Sequence, residues 1–294
     1  MVIVLYFYLL LAFSVLSAVV NNCLLHRYDD KNTKGFTDVL LFNSLVAVIW
    51  VVLLFIKGRG FAPSVPSIVW GVLYGIVIAG FLLSKTLAFS NGPMSLTSLF
   101  GCCSMIIPTL FGTIFWKEDV SITQMAGIAL LLVAIYMCIN PKYNDRLSMK
   151  WKICCGIFFV CSGLVGIIFK LHQSSSGKNE IDQMMLVASL ISAAILFCSA
   201  VCSGKIKEGR MPILDKRTMG YVVFCGLFSC VYNRLNVYLT GVMPSVIFFP
   251  AFNGGVILFS TAAGFALFRE KIKIMQICGL VLGLLALLLI GIVF

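Results

Sequence analysis

The chain of 294 residues is 61% hydrophobic and only 11% charged, with 22 Lys and Arg against 11 Asp and Glu. Soluble domains average about 45–50% apolar and about 25% charged residues, so this composition excludes an ordinary soluble domain and indicates an integral membrane protein. The net charge of +11 lies mainly in polar stretches beside apolar runs, where insertion and lipid headgroups account for it better than nucleic acid does.

A membrane-spanning helix needs about 20 mostly apolar residues. Ten such runs follow one another, at roughly 2–25, 37–56, 66–89, 94–116, 121–140, 151–171, 181–203, 218–239, 243–268 and 273–293. The first lacks a basic leading segment and continues to spanning length, so it reads as a span and not as a cleaved signal. The connections are short and leave no room for a soluble domain. Twelve cysteines fall mostly inside the apolar runs, without a CxxC spacing, and read as small hydrophobes in place of a metal or disulfide framework.

The fourth and fifth runs return as the ninth and tenth. Trp116, Lys117, Glu118, Gln124 and Gly127 match Phe268, Arg269, Glu270, Gln276 and Gly279 at a constant spacing of 152 residues, and Ser95 matches Ser245 after a two-residue slip. Ten spans in two copies put five in each, residues 1–145 and 146–294. An odd number of spans forces the second copy to enter the membrane upside down. The expected fold is therefore all-α, with ten transmembrane helices in two inverted five-helix repeats.

Loop charges orient the chain. The odd-numbered loops carry fifteen Lys and Arg and the even-numbered loops carry four, Lys57, Arg59, Lys117 and Lys178. By the positive-inside rule the odd loops are cytoplasmic, and both termini are extracytoplasmic.

The two hairpins, FGTIFWKEDVSITQMAGIALLLVAIYM and AGFALFREKIKIMQICGLVLGLLALLL, resemble the helix–turn–helix that closes each half of transporters of the drug/metabolite transporter superfamily, in particular its EamA-like members. The resemblance covers essentially the whole chain and implies the ten-helix fold. It also implies transport by alternating access, with helices 1, 3, 4, 6, 8 and 9 lining a central cavity. Well-described ten-helix members hold both termini in the cytoplasm, and here the loop charges indicate the reverse orientation.

No catalytic motif, phosphate-gripping glycine loop or dinucleotide fingerprint is present, and no carboxylate lies centrally in a span, so neither an enzyme nor a cofactor is expected. Two cations do lie within spans, Lys85 in the third and Arg234 in the eighth. Charges at such depth face a cavity or a partner, or snorkel to the interface. Lys170, almost at the end of the sixth span, reads as an interface anchor. Tyr232, Asn233 and Asn236 share one broad face with Ser229, while Asn21, with Ser14 and Ser17, and Asn43 add polar groups on the first and second spans. Such groups bind a polar substrate or tie helices together. Tyr74 could stack on a substrate.

In the ninth span Pro250, Asn253, Gly254 and Gly255 make a hinge or a close-packing element, with Asn253 as a further substrate contact. Pro108 interrupts the fourth. These features point to a secondary transporter of a small polar metabolite, anionic or zwitterionic and amino-acid-like. A flippase of a phosphate-bearing lipid intermediate and an exporter of cationic drugs or amines are the alternatives. The partners expected are the solute and the bilayer, with no nucleic acid and no metal, in a single functional chain. The short loops and small size suggest a bacterial cytoplasmic membrane.

Overall fold

The computed structural model describes residues 2–32, 35–57, 63–92, 94–139, 148–203, 216–268 and 273–291, and all regular structure among them is α-helix. The helices are α1 (Val2–Asn32), α2 (Phe36–Lys57), α3 (Val65–Asn91), α4 (Met94–Cys103), α5 (Ile106–Phe115), α6 (Ile122–Ile139), α7 (Met149–Ser174), α8 (Ile181–Cys202), α9 (Lys216–Val242), α10 (Ser245–Phe268) and α11 (Ile274–Gly291). Nine stretches among the described residues are long and apolar enough to cross a membrane, with α4 and α5 together forming one of them (Thr97–Phe115), and α11 is a shorter apolar helix. Large apolar side chains such as Phe55, Ile114, Ile122 and Leu288 lie on the outer surface, where a bilayer would cover them. The chain is a multi-pass membrane protein.

The fourth apolar run, expected as one helix over 94–116, is two. Proline has no N–H to donate four residues back, and its ring crowds that carbonyl. Pro108 therefore cannot bond Ser104 O, which accepts from Ile107 N at 3.0 Å, while Met105 N reaches only to Cys102 O at 3.3 Å. The chain breaks at Ser104 and Met105. Pro250, by contrast, sits inside a continuous α10.

With α4 and α5 as one span, successive spans alternate in direction. The end of α2, the start of α3 and the α5–α6, α7–α8 and α9–α10 turns lie at one end of the bundle, here the near face, and the start of α2 and the end of α8 meet at the other, the far face. Helices of one half pack mainly on helices of the other: α3 on α7 and α8, α1 and α2 on α9, and α6 on α11.

The last of these pairs shows how matched residues are used. A methyl group on Gly279 would lie 2.9 Å from both Ala134 O and Cys138 N, and one on Gly127 would lie 3.2 Å from Ala286 O and 2.8 Å from Ile290 Cγ1. Adding 152 to positions 134 and 138 gives 286 and 290, so the two helices exchange equivalent contacts and run antiparallel. Their first turns are capped alike as well. Gln124 Oε1 accepts from Ser121 N and Gln276 Oε1 from Lys273 N, each at 3.0 Å. Glutamine three residues after the helix start is the reaching-back half of a capping box.

Gly71 and Gly75 bring α3 so close to α8 that a methyl on either would lie 2.7 Å from a backbone oxygen, Met184 O or Ala188 O. Small residues four apart allow such approach in a membrane, where no hydrophobic effect drives helices together.

Candidate functional site

Of the four polar groups of α9 expected on one face, Ser229, Asn233 and Asn236 share inter-helix hydrogen bonds, and Tyr232 lies beside Phe252. Ser229, Asn233 and Asn236 stand at i, i+4 and i+7, and all three are buried. Each receives a hydrogen bond from a different helix. Trp50 Nε1 of α2 donates to Ser229 Oγ at 2.8 Å, Tyr74 Oη of α3 to Asn233 Oδ1 at 3.2 Å, and Ser14 Oγ of α1 to Asn236 Oδ1 at 2.6 Å. Asn233 Nδ2 returns to Ser229 O at 2.9 Å. Tyr74 is fully buried, edge-on to Phe169 at 4.9 Å. In lipid no water satisfies these groups, so each must find a protein partner. The face is a spine joining three helices to α9.

The other amides divide differently. Asn43 Nδ2 donates to Val39 O at 2.8 Å and Asn253 Nδ2 to Phe249 O at 2.9 Å, each within its own helix. Asn21 is buried, and its Oδ1 has no hydrogen-bond partner among the described residues. Tyr232 is half-buried beside Phe252, with centroids 6.1 Å apart. Gly254 packs on Leu131 and Gly255 on Val15, so these glycines serve close contact between α10 and its neighbours α6 and α1.

Among the described residues, two clusters of ion pairs lie at the near face. In the first, Arg234 Nε lies 2.5 Å from Asp182 Oδ1 and Arg234 Nη2 3.3 Å from Oδ2, while Lys57 Nζ lies 3.1 Å from the same Oδ2. The end of α2, the start of α8 and the last third of α9 meet on one carboxylate. Arg234 was read from sequence as a cavity cation, and the structure gives it a bidentate carboxylate partner that sequence reading left at a helix start.

In the second cluster Lys117 adopts a left-handed backbone, with φ of 51°, at the turn between α5 and α6. The next carboxylate, Glu118, then reaches the start of α10. Its Oε2 accepts from Ser245 N at 2.7 Å, and its Oε1 accepts from Ser245 Oγ at 3.1 Å and from Lys170 Nζ at 2.8 Å. A carboxylate at a helix N-terminus satisfies an orphan N–H and meets the positive end of the helix dipole. Gly112 makes room for it: a methyl there would lie 2.6 Å from Ser245 Cβ and 2.8 Å from Glu118 Oε2.

Lys170 also donates to Met243 O at 3.3 Å and lies 5.8 Å from the centre of the Trp116 ring. Its side chain is 15% exposed and that of Glu118 13%. Lys170 is thus an internal tie, which corrects its reading as an interface anchor. The repeat partner of Glu118, Glu270, lies outside the described residues, as does the side chain of Ser95.

Outside the spans, Glu180 accepts from Ser64 N at 2.8 Å and from Ser64 Oγ at 2.7 Å, through Oε2. These bonds hold its carboxyl below the ordinary value. They also join the α7–α8 loop to the start of α3. His172, fully buried near the end of α7, keeps Nε2 without a partner among the described residues.

Lys85 stands in the half of the bundle toward the far face. Its Nζ lies 5.9 Å from the centre of the Phe81 ring and 5.6 Å from that of Phe89. Two of the ring faces that attract cations therefore flank it. Lys85 lies toward the far-face end of α3 and Arg234 toward the near-face end of α9.

No protein-family model matches the chain. Over 190 residues it is 23% identical to NIPA-like protein 2 of Mus musculus, a match that takes in 58% of this chain and 47% of that protein. The chain thus matches about half the length of this relative. A protein of known crystal structure superimposes with a TM-score of 0.72 over 97% of this chain and 96% of its own, at 11% identity. That likeness establishes a shared fold. The chain is a distant relative of a NIPA-like protein.

Proposed function

We propose that this chain is a secondary transporter of the drug/metabolite transporter type, built from two inverted five-helix halves, 1–145 and 146–294, that move against each other. The observation that carries this reading is the reciprocal α6–α11 interface, in which residues 152 apart exchange equivalent contacts between antiparallel helices. Such an interface is what a two-fold axis in the membrane plane would produce, and solute sites in inverted-repeat transporters lie between the halves.

Charged and hydrogen-bonded ties join the helices at the near face, and by the loop charges that face is extracytoplasmic.

The solute is a small polar metabolite with an anionic or zwitterionic head. Asp182 is shared by Arg234 and Lys57, so the cations that support this preference are that cluster at the near face and Lys85 toward the far face. Thermal unfolding of detergent-purified protein against amino acids, organic acids, sugar phosphates and amines tests it. Bound ligand at about 100 times its dissociation constant adds about 2.7 kcal/mol of apparent stability. Anions or zwitterions should raise the unfolding temperature, and Lys85→Met should reduce the rise. Stabilisation by amines alone would overturn the substrate class and leave the fold untouched. Solute-dependent flux in proteoliposomes tests transport itself.

A further inference from the structure

The charges that meet at Asp182 do not cancel. Arg234 Nε and Nη2 donate to its two oxygens, and Lys57 Nζ lies 3.1 Å from Oδ2, the oxygen that Nη2 reaches at 3.3 Å. Two cations share one carboxylate, which leaves a positive charge in excess. The neighbouring carboxylate, Glu180, is turned to the start of α3, where Ser64 N and Oγ hold it. A guanidinium carries five N–H donors and an ammonium three. Asp182 takes one edge of the Arg234 fork, and among the described residues no acceptor meets Nη1. Because Lys57 Nζ and Arg234 Nη2 both reach one oxygen, a single small anion can meet both cations.

The setting of Arg234 separates this place from the lipid. Arg234 stands four residues after Cys230 and three before Val237, on one stripe of α9. Both neighbours are buried in one apolar cluster with Trp50 of α2, Tyr74 of α3, Phe169 of α7 and Met184 of α8. The stripe therefore faces the space among those four helices. The side chains of Arg234 and Lys57 are nevertheless 38% and 53% exposed, against 21% for Asp182. The cations stay within reach of a solute while their shared carboxylate is largely covered.

We propose that Arg234 and Lys57 form a binding site for one small anion, a carboxylate or phosphate, at the near mouth, and that this anion is the head of the solute. The assignment rests on the transporter reading above and adds the groups that take the solute. Lys57 belongs to the first half and Arg234 to the second, so the bound anion sits between the halves, as solutes do in inverted-repeat carriers. The second edge of the guanidinium offers a carboxylate or phosphate two parallel donors in fixed geometry, which an ammonium does not. Arg234 sets the specificity, and Lys57 adds charge.

The experiment follows acetylation of Lys57 by a neutral succinimidyl ester in full-length protein held in phosphatidylcholine nanodiscs. Peptide mass spectrometry reads it, with Lys178, exposed in the α7–α8 loop, as the internal reference. Acetate, benzoate and inorganic phosphate are the probes, at constant ionic strength. They should protect Lys57 along a saturating curve and leave Lys178 unprotected. Arg234→Lys keeps the charge and loses the fork, so the half-protecting concentration should rise about tenfold. Protection of Arg234 from phenylglyoxal in wild type reads the same site without a substitution.

Equal protection of Lys57 and Lys178 would mean diffuse attraction of anions and would overturn the proposal. So would an unchanged half-protecting concentration in Arg234→Lys, or no protection of Arg234 in wild type. If phosphatidylglycerol nanodiscs protect Lys57 with no probe added, a lipid headgroup fills the site and the solute assignment falls. Flux of an anionic solute in proteoliposomes that Arg234→Lys leaves unchanged would remove the site and keep the transporter. Selective protection without flux of any solute would keep the anion site and remove the transporter reading.

Discussion

The two copies of the closing hairpin are entered by different helices. In the second half the entering helix, α10, is continuous through Pro250, and its first residue is clamped by Glu118. In the first half the corresponding stretch is broken at Ser104, four residues before Pro108, and the hairpin turn supplies Glu118 as that clamp. The lesson is that a repeated sequence specifies the same capped hairpin, whereas prolines at unmatched positions leave one entering helix broken and the other continuous.

That inequality can be broken first at the closest packing. Gly75→Leu drives a side chain against Ala188 O and Ile191, and overpacking against backbone should cost at least about 3 kcal/mol. The expected result is loss of the monodisperse peak on size exclusion. Gly156 and Gly220, where an added methyl group would meet nothing within 4 Å, should accept alanine without change.

The clamp comes next. Lys170→Met leaves the Glu118 carboxylate without its cation in a mostly buried place, and we expect a loss of about 2 kcal/mol in thermal or denaturant unfolding. Glu118→Gln combined with Lys170→Met should recover part of that loss, as a coupled pair does in a double-mutant cycle. Lys57→Met, whose side chain is 53% exposed, should cost under about 1 kcal/mol.

The symmetric interface offers a finer comparison. Gly279→Ala meets two backbone atoms at 2.9 Å, whereas Gly127→Ala meets two backbone atoms at 3.2 Å and Ile290 Cγ1 at 2.8 Å. Both should destabilise by about 1–3 kcal/mol, with Gly279→Ala the costlier. Equal unfolding temperatures for the two variants would show that the halves respond alike at this contact.

The smallest effect is a pH dependence. Hydrogen bonds from Ser64 lower the Glu180 pKa in the folded protein. The stability they give is present above the unfolded carboxyl pKa and is lost as pH falls through the lower folded value. Glu180→Gln should therefore lower stability slightly at neutral pH and leave it nearly unchanged at acid pH, which flattens the acid limb of the profile measured by thermal unfolding.

Much of this arrangement is legible in the chain itself. Composition and run length identify a multi-pass membrane protein, because in lipid a helix satisfies every backbone group within its own segment. The constant spacing of 152 picks out Gln124 with Gln276 and Gly127 with Gly279, and these make equivalent contacts because capping and close approach depend on a few adjacent residues. Helical spacing likewise put Ser229, Asn233 and Asn236 on one face. What lies across a face is not local. That Ser14, Trp50 and Tyr74 would reach that spine, that Asp182 would take Arg234, and that Glu118 would gather Lys170 and Ser245 were decided by helix packing. Those partners stand 52 to 222 residues apart in the chain, and only the fold sets the distance between them.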